Sequence, residues 1–351
     1  MLKTYNSLGD NMKRIILALL LMIPIKIYAI DTSARAAILM ETENNVILYE
    51  KNINEVRSVA SISKIMTAII AIESGKMDDK VIIGDEINKA YGSGIYIKNG
   101  EELTLRDLVY GLMLRSGNDA ALAIAHYVGG SVDNFVILVN DKAKEIGMKN
   151  TEFNNPSGLD EDKGNYSTAY DMAKLASYAI KNEEFKKITG TKTYKLKTNK
   201  NTYIWHNKNK MLTMYKYSIG GKTGYTEIAK RTLISYAYKD DTSLVVVTLN
   251  DGNDWNDHKN LFEYGFNNYK NYKLLSSGYI NIYNEEYYKN YYLYIKNDYT
   301  YLFNKSTNSS VLFKYQLKKN RNIKNGDIVG NILVYIGDKE VHKEPIYVKE
   351  K

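Results

Sequence analysis

The chain has no cysteine, three prolines, four histidines and two tryptophans among its 351 residues. Without thiols there is no disulfide framework, no cysteine nucleophile and no thiolate metal site, so stability must come from a packed core, which a chain this long can bury. The histidines, His126, His206, His258 and His342, are scattered, and no His-Glu-x-x-His pattern occurs, which argues against a metal hydrolase. A long apolar run is also missing. Ile15 to Ile25, behind Lys13 and Arg14, is followed by Lys26, contains Pro24 and falls short of the ~20 residues that span a bilayer. With Ile27-Tyr28-Ala29 as a cleavage-like end, residues 1–29 read as a secretory signal peptide starting at Met12, the rival being an uncleaved anchor.

A charge of one sign is scarce where the chain is largest. The formal +8 divides into +3 for residues 1–29, 31 basic against 31 acidic residues for 30–272, and +5 for 273–351. The neutral body lacks the footprint of a nucleic-acid binder, and no nucleic-acid partner is expected. Hydrophobic content of 44% and charged content of 25% are those of an ordinary globular protein.

What is present is strand-like sequence at both ends of a helical middle. "ARAAILME" and "NVILYEK" flank Glu43-Asn44-Asn45, and "KRTLISYAY" and "TSLVVVTLN" flank Asp240-Asp241; each pair reads as a β-hairpin. Between them, Thr104 opens "LRDLVYGLMLR", Asn118-Asp119 opens "AALAIAHYV", and Tyr170 to Asn182 is apolar at helical spacing. The fold class is therefore α+β: an antiparallel sheet built from both ends of the domain (30–272), with helices on its faces. From residue 273 to 351 short tyrosine-rich runs alternate with turn signals at Asn297-Asp298, Asn325-Gly326-Asp327 and Gly337-Asp338, the pattern of a small all-β domain. Its tyrosines among lysines are compatible with nucleotide stacking, but half-wet strands explain them more simply.

Three short motifs carry chemistry. In "SISK" Ser61 precedes Lys64 by three residues at the first turn of a helix whose apolar stripe is Ile62, Ile65, Met66 and Ile69. Residues so spaced share a face, so the Lys64 amine reaches the Ser61 hydroxyl; the plain reading of Ser61 is an N-cap. A lysine accepts a proton near neutrality only when desolvation or a second cation lowers its pKa, and a helix N-terminus adds positive potential and free N–H groups. "GGKTGYT" supplies a second lysine, Lys222, with Thr223 suited to a substrate carboxylate and Gly224 letting a bound peptide backbone approach at the start of an edge strand. A phosphate loop is excluded because Lys216 stands where its first glycine belongs. In "RSGNDAA" Asn118 or Asp119 reads as a helix cap; in a serine site Asn118 orients a substrate amide and Ser116 passes a proton. The arrangement requires Lys64 and Lys222 to converge on Ser61.

Ser-x-x-Lys, Ser-x-Asn and Lys-Thr-Gly, in that order behind a signal peptide, match the serine acyl-transferase pattern of penicillin-binding proteins and β-lactamases. The chain resembles the low-molecular-mass penicillin-binding proteins, the D-alanyl-D-alanine carboxypeptidases of serine peptidase family S11. "RSVASISKIMTA", "LMLRSGNDAA", "FNNPSGLDEDKGNYSTAYDMAKLASYA", "NKNKML" and "IGGKTGYTEIAKRTL" look like family segments in family order, and "KNGDIVGNILVYIGDKEVHKEPIYV" looks like the family's accessory β domain. The resemblance implies Ser61 as nucleophile, Lys64 as general base, and Ser116 and Asn118 as proton relay and substrate holder. It implies Lys222, Thr223 and Gly224 as substrate contacts and the backbone N–H groups of Ser61 and Tyr225 as oxyanion hole. The implied partners are the peptidoglycan stem peptide and, as covalent inhibitors, β-lactam antibiotics; no metal or organic cofactor is implied.

Two departures stand out. Lys230 occupies a place where the family often has glycine, which bears on local loop geometry. The sequence also ends directly after a β-like segment, where many relatives continue into an amphipathic helix; this favours a freely exported enzyme, or one held at the wall or membrane surface by its basic β domain. A class A β-lactamase needs a deacylating glutamate, for which Glu152 and Glu161 are the candidates. A DD-endopeptidase, or a catalytically silent wall-associated scaffold that keeps the fold, would carry the same motifs.

Overall fold

The computed structural model describes residues 30–160, 163–282, 286–319 and 322–351; the signal-peptide segment and Glu161 lie outside them. Residues Thr32–Lys351 form one unit. Its sheet begins with β1 (Ala36–Glu41) and β2 (Ile47–Lys51) and is completed by β3 (Ser218–Thr226), β4 (Lys230–Lys239) and β5 (Thr242–Leu249), in the order β2-β1-β5-β4-β3, every pair antiparallel. Both hairpins and the closure by the two ends of the domain follow the sequence pattern. Lys230, with φ 57°, begins β4 in the left-handed region that glycine enters at no cost, so its loop keeps the required turn at some strain.

The helices packed around this sheet include α1 (Lys64–Glu73), α2 (Leu105–Arg115), α3 (Asn118–Gly129), α4 (Val132–Ile146), α5 (Ala169–Ile180), α6 (Glu183–Gly190) and α7 (Asp254–Asn268). Strand alternation explains why the apolar residues of β1 and β5 are buried on both faces. Ile38, Met40, Val245 and Val247 enter the large core with α1 to α6, whereas Leu39 and Leu244 face the other way. There α7 lies so close that a side chain at Gly265 would strike both of them and Leu48. Each fully buried aliphatic is worth about 1.5–3 kcal/mol relative to exposure, so the two-sided burial makes β1 and β5 the rigid centre of the fold. Thr104 caps α2 with a reciprocal bond to Asp107.

The tyrosine-rich end is an all-β module. β6 (Tyr269–Leu275) pairs with β9 (Tyr299–Asn304), and β7 (Gly278–Ile280), β8 (Tyr291–Ile295), β10 (Val311–Leu317), β11 (Ile328–Ile336) and β12 (Lys339–Glu350) form a sheet in the order β7-β8-β12-β11-β10. Leu293, Ile295, Val334, Ile346 and Val348 make its separate core. Hydrogen bonds tie it to the body: Asn44 Nδ2 donates to the Thr300 carbonyl (3.0 Å) and Asn271 Nδ2 to that of Asp241 (2.8 Å). Among the described residues no single helix is long and apolar enough to cross a membrane.

Candidate active site

Ser61 lies in a 3-10 turn, Ala60–Ser63, that precedes α1, and its side chain makes no capping bond. The helix-cap reading is thus corrected: the hydroxyl is left free for other partners. The turn is held under strain. Ala60, directly before Ser61, has φ 49°, a region that costs an L-residue roughly 1–2 kcal/mol. Three contacts enforce it. Gly158, itself at φ +79°, passes so near that a Cβ there would collide with the Ala60 carbonyl oxygen. Ser63 Oγ donates to that same carbonyl (2.9 Å), and Thr232 Oγ1 of β4 donates to the Val59 carbonyl (3.1 Å).

Lys64 Nζ is 3.0 Å from Ser61 Oγ, 2.7 Å from Asn118 Oδ1, and also bonded to the Ser157 carbonyl. Two of these partners can only accept, because Asn118 Nδ2 donates to the Tyr91 carbonyl (2.6 Å) and so turns Oδ1 toward the lysine. A neutral amine has two N–H donors and one lone pair. The Ser61 hydroxyl both accepts and donates, so a charged Lys64 donates to all three partners. Once the amine is neutral, its two N–H groups serve the two acceptors and its lone pair is left for the Ser61 proton. Burial, reinforced by the nearby charges of Lys222 and Lys208, holds the Lys64 pKa well below the ordinary lysine value.

The second lysine arrives from β3. Lys222 is buried, and desolvation with Lys208 nearby brings its pKa to about 7. Its Nζ donates to Ser116 Oγ (3.0 Å) and to the Thr223 carbonyl (2.7 Å). The two amines thus serve different hydroxyls; the expectation that both reach Ser61 is corrected, because Ser116, left-handed at φ 63° after α2, is the hydroxyl that Lys222 meets. The helix-cap reading of Asn118 and Asp119 changes too. Gly117 is the N-cap of α3. Asp119 instead accepts from the backbone N–H groups of Ile95 (3.0 Å) and Tyr96 (2.7 Å), pinning the loop that carries Tyr91.

Thr223 and Gly224 are half-buried within β3, at the free edge of the sheet, in the middle of the strand and not at its start. At Gly224 a Cβ would lie 2.9 Å from Ser61 N and 3.1 Å from Ile62 N. A Cβ there would also strike Thr232 Oγ1, so the packing of β3 on the Ser61 turn and β4 itself requires glycine. Tyr225 follows with its ring exposed.

The part that sequence reasoning left without a role is the loop 154–165. Asn155 Oδ1 accepts from the N–H groups of Ser157 (3.1 Å) and Gly158 (2.6 Å), an Asx turn that aims the Ser157 carbonyl at Lys64. Asn165 Nδ2 donates to Ser63 Oγ (3.0 Å), and Asp160 receives Ser58 Oγ (2.7 Å) together with the Thr226 hydroxyl, clasping the serine turn to β3. The run of asparagines was the available signal. Beside Asn118 and Ser157 lies a cavity of about 380 Å³ that also touches Tyr91, Leu159 and Lys163. Glu152 is exposed and its backbone pairs with Tyr166; among the described residues no carboxylate bonds to Ser61 or Lys64.

A serine in a turn strained at Ala60, bonded to a desolvated lysine at the head of α1, is the arrangement expected from the resemblance to the penicillin-binding proteins. A family model described as D-alanyl-D-alanine carboxypeptidase, peptidase S11, matches residues 25–253, and one described as penicillin-binding protein 5, C-terminal domain, matches residues 269–351. The chain belongs to the S11 family. It is 41% identical over 220 residues to the carboxypeptidase DacF of Bacillus subtilis, covering 61% of this chain and 56% of that relative's own length. It is 30% identical to DacB2 of Mycobacterium tuberculosis, covering 67% of this chain and 83% of the relative. Penicillin-binding protein 5 of Haemophilus influenzae superposes with a TM-score of 0.76 at 27% identity, covering 93% of this chain and 99% of that one, so both the α+β body and the β module have structural counterparts.

Proposed function

We propose that this protein is a serine-type D-Ala-D-Ala carboxypeptidase that removes the terminal D-Ala from peptidoglycan stem pentapeptides outside the cytoplasm. The body, residues 30–272, does the chemistry behind a leader of residues 1–29, and residues 273–351 form the accessory domain. The observation that carries the reading is the buried Lys64 amine 3.0 Å from Ser61 Oγ, its two other partners being able only to accept.

Ser61 Oγ attacks the penultimate D-Ala carbonyl while its proton passes to Lys64 Nζ. Backbone N–H groups of Ser61 and Tyr225 hold the oxyanion, a role supported by the close packing of Gly224 on the Ser61 turn. The C–N bond breaks, and Ser116, its oxygen bonded to Lys222, delivers a proton to the leaving nitrogen and is resupplied with the proton that Lys64 took from Ser61, so both side chains return to their starting state. Water then cleaves the ester and Ser61 regains its proton, so each turnover consumes one water and releases one D-Ala. Lys222 and Thr223 hold the substrate carboxylate, Asn118 holds its amide, and the cavity beside Asn118 receives the peptide upstream of the cleaved bond. A β-lactam enters by the same route and stays on Ser61.

Incubation with a synthetic pentapeptide, followed by mass measurement, tests this. Loss of one alanine mass is expected. Cleavage only of cross-linked dimers would make the enzyme an endopeptidase, and fast turnover of penicillin would make it a β-lactamase.

A further inference from the structure

The proposed reaction leaves the outward face of the C-terminal sheet unused. Alternation along β8 sends Leu293 and Ile295 into the module's core and places Tyr292 and Tyr294 on the opposite side. The strand register then makes Tyr279 of β7 and Tyr347 of β12 the direct cross-strand neighbours of Tyr294. The ring centroids step 5.0 Å from Tyr292 to Tyr279, 6.3 Å from Tyr279 to Tyr294 and 5.5 Å from Tyr294 to Tyr347. Cations guard both ends: Lys351 Nζ lies 5.6 Å from the Tyr292 centroid and Lys296 Nζ 3.9 Å from that of Tyr347.

Cross-strand aromatic packing accounts for the inner pair, Tyr294 and Tyr347, which are half-buried against each other. The outer pair packs on its neighbours in the same way but stays far wetter. Tyr279 is 65% and Tyr292 46% exposed, and both open onto a cavity of about 370 Å³ whose wall also carries Asn281 and Lys289. A solvent-facing strand position gains little stability from a ring left this wet.

We propose that this row and its cavity form a carbohydrate site that takes an acidic glycan strand, the polymer to which the stem peptide is attached. The C–H faces of pyranose rings stack on tyrosine, phenol hydroxyls and the Asn281 amide bond sugar hydroxyls, and lysines in a segment of net charge +5 meet carboxylates. The exposed rings of the row are tyrosines, and the aliphatic side chains on the cavity wall, Ile280, Ile282 and Leu293, are buried or half-buried against the module's core instead of standing out as a wedge, so a bilayer is the poorer fit. Only the identity of the glycan rests on the carboxypeptidase reading.

The test is co-sedimentation of the full chain with glycan strands stripped of stem peptides, with anionic phosphatidylglycerol vesicles as a second arm. The unaltered row should sediment with stripped glycan. The double variant Tyr279→Ala/Tyr292→Ala should bind roughly tenfold or more weakly, with unchanged D-Ala release from a soluble pentapeptide. Tyr279→Phe/Tyr292→Phe, which keeps the ring faces and cannot be dismissed as unfolded, should retain most binding. Equal sedimentation of the alanine variant, equal loss in the phenylalanine variant, or binding to vesicles without binding to glycan would each overturn the site. Failure of the carboxypeptidase reading is distinct: stripped glycan would still be bound while the pentapeptide stayed intact.

Discussion

Lysine is treated in opposite ways at the active site of the body and on the surface of the β module. In the body, Lys64 and Lys222 are stripped of water and held beside hydroxyls, and burial depresses the pKa of both. In the β module, Lys296, Lys314 and Lys351 lie over tyrosine rings at a wet surface. A buried amine must lose its charge or find a partner, which makes it reactive; a surface amine over a ring keeps both its charge and its hydration, which suits it to recognition. The difference teaches that residue type alone says little here, and that desolvation decides the chemistry.

The largest effect that would break this contrast is at Ser61. Ser61→Ala should lower D-Ala release and penicillin labelling by on the order of 10⁴ to 10⁶, with thermal stability nearly unchanged. Besides Lys64, the hydroxyl makes only a 3.5 Å contact with the Ser157 carbonyl among the described residues. Labelling that survived in the variant would remove Ser61 from the centre of the site.

Lys64 comes next. Lys64→Ala should cost roughly 10² to 10⁴ in rate, the usual worth of a general base. Its titration also gives a stability signature. An unfolded lysine titrates near its ordinary value of 10.5, whereas the folded groups titrate lower, Lys222 at about 7. Between those limits the unfolded chain binds more protons, so stability should climb as pH rises through that window and level off above it. Lys64→Met removes one contributor. Urea midpoints measured from pH 7 to 10 should therefore rise less steeply in the variant; an identical slope would mean that the amine is not desolvated.

How much of the fold and site was legible in the sequence follows from what each signal depends on. Apolar alternation and turn residues located both hairpins, and capping chemistry located α2, because these are local properties of the chain. The three motifs named the residues that meet, since their order survives folding. What escaped was set by distant partners. Ser157 contributes a backbone carbonyl, which any residue has, and its aim depends on Asn155 and Asn165. Gly224 packs on the serine turn, a distant partner that its own motif does not name. Asp119 looked like a cap because caps and loop anchors use the same side chain.

Lys222 sharpens the contrast because the proposed reaction needs it charged where Lys64 must be neutral. With the Lys222 pKa near 7 in the free enzyme, kcat/KM should fall on the alkaline side as the amine loses the charge that meets the substrate carboxylate. Lys222→Arg carries a guanidinium that stays charged. It should slow the enzyme about 10- to 100-fold, the cost of a misplaced charge-assisted bond, and abolish the alkaline fall. A substrate amidated at its terminal carboxylate should be much less sensitive to the change; equal sensitivity would give Lys222 another task.

The smallest effect comes from the lysines of the other region. Lys296 stands 3.9 Å from the Tyr347 ring centroid with access to water, an arrangement worth about 0.5–1 kcal/mol. Lys296→Ala should shift the melting midpoint by less than roughly 3 °C, and salt should shrink the difference because exposed charges are screened. D-Ala release from a soluble pentapeptide should not change, since none of the bonds that hold Ser61, Lys64, Ser116 or Lys222 involves the β module. A loss of turnover in this variant would show that the β module adjusts the reactive lysines from outside, and the division between a desolvated site and a wet recognition surface would have to be redrawn.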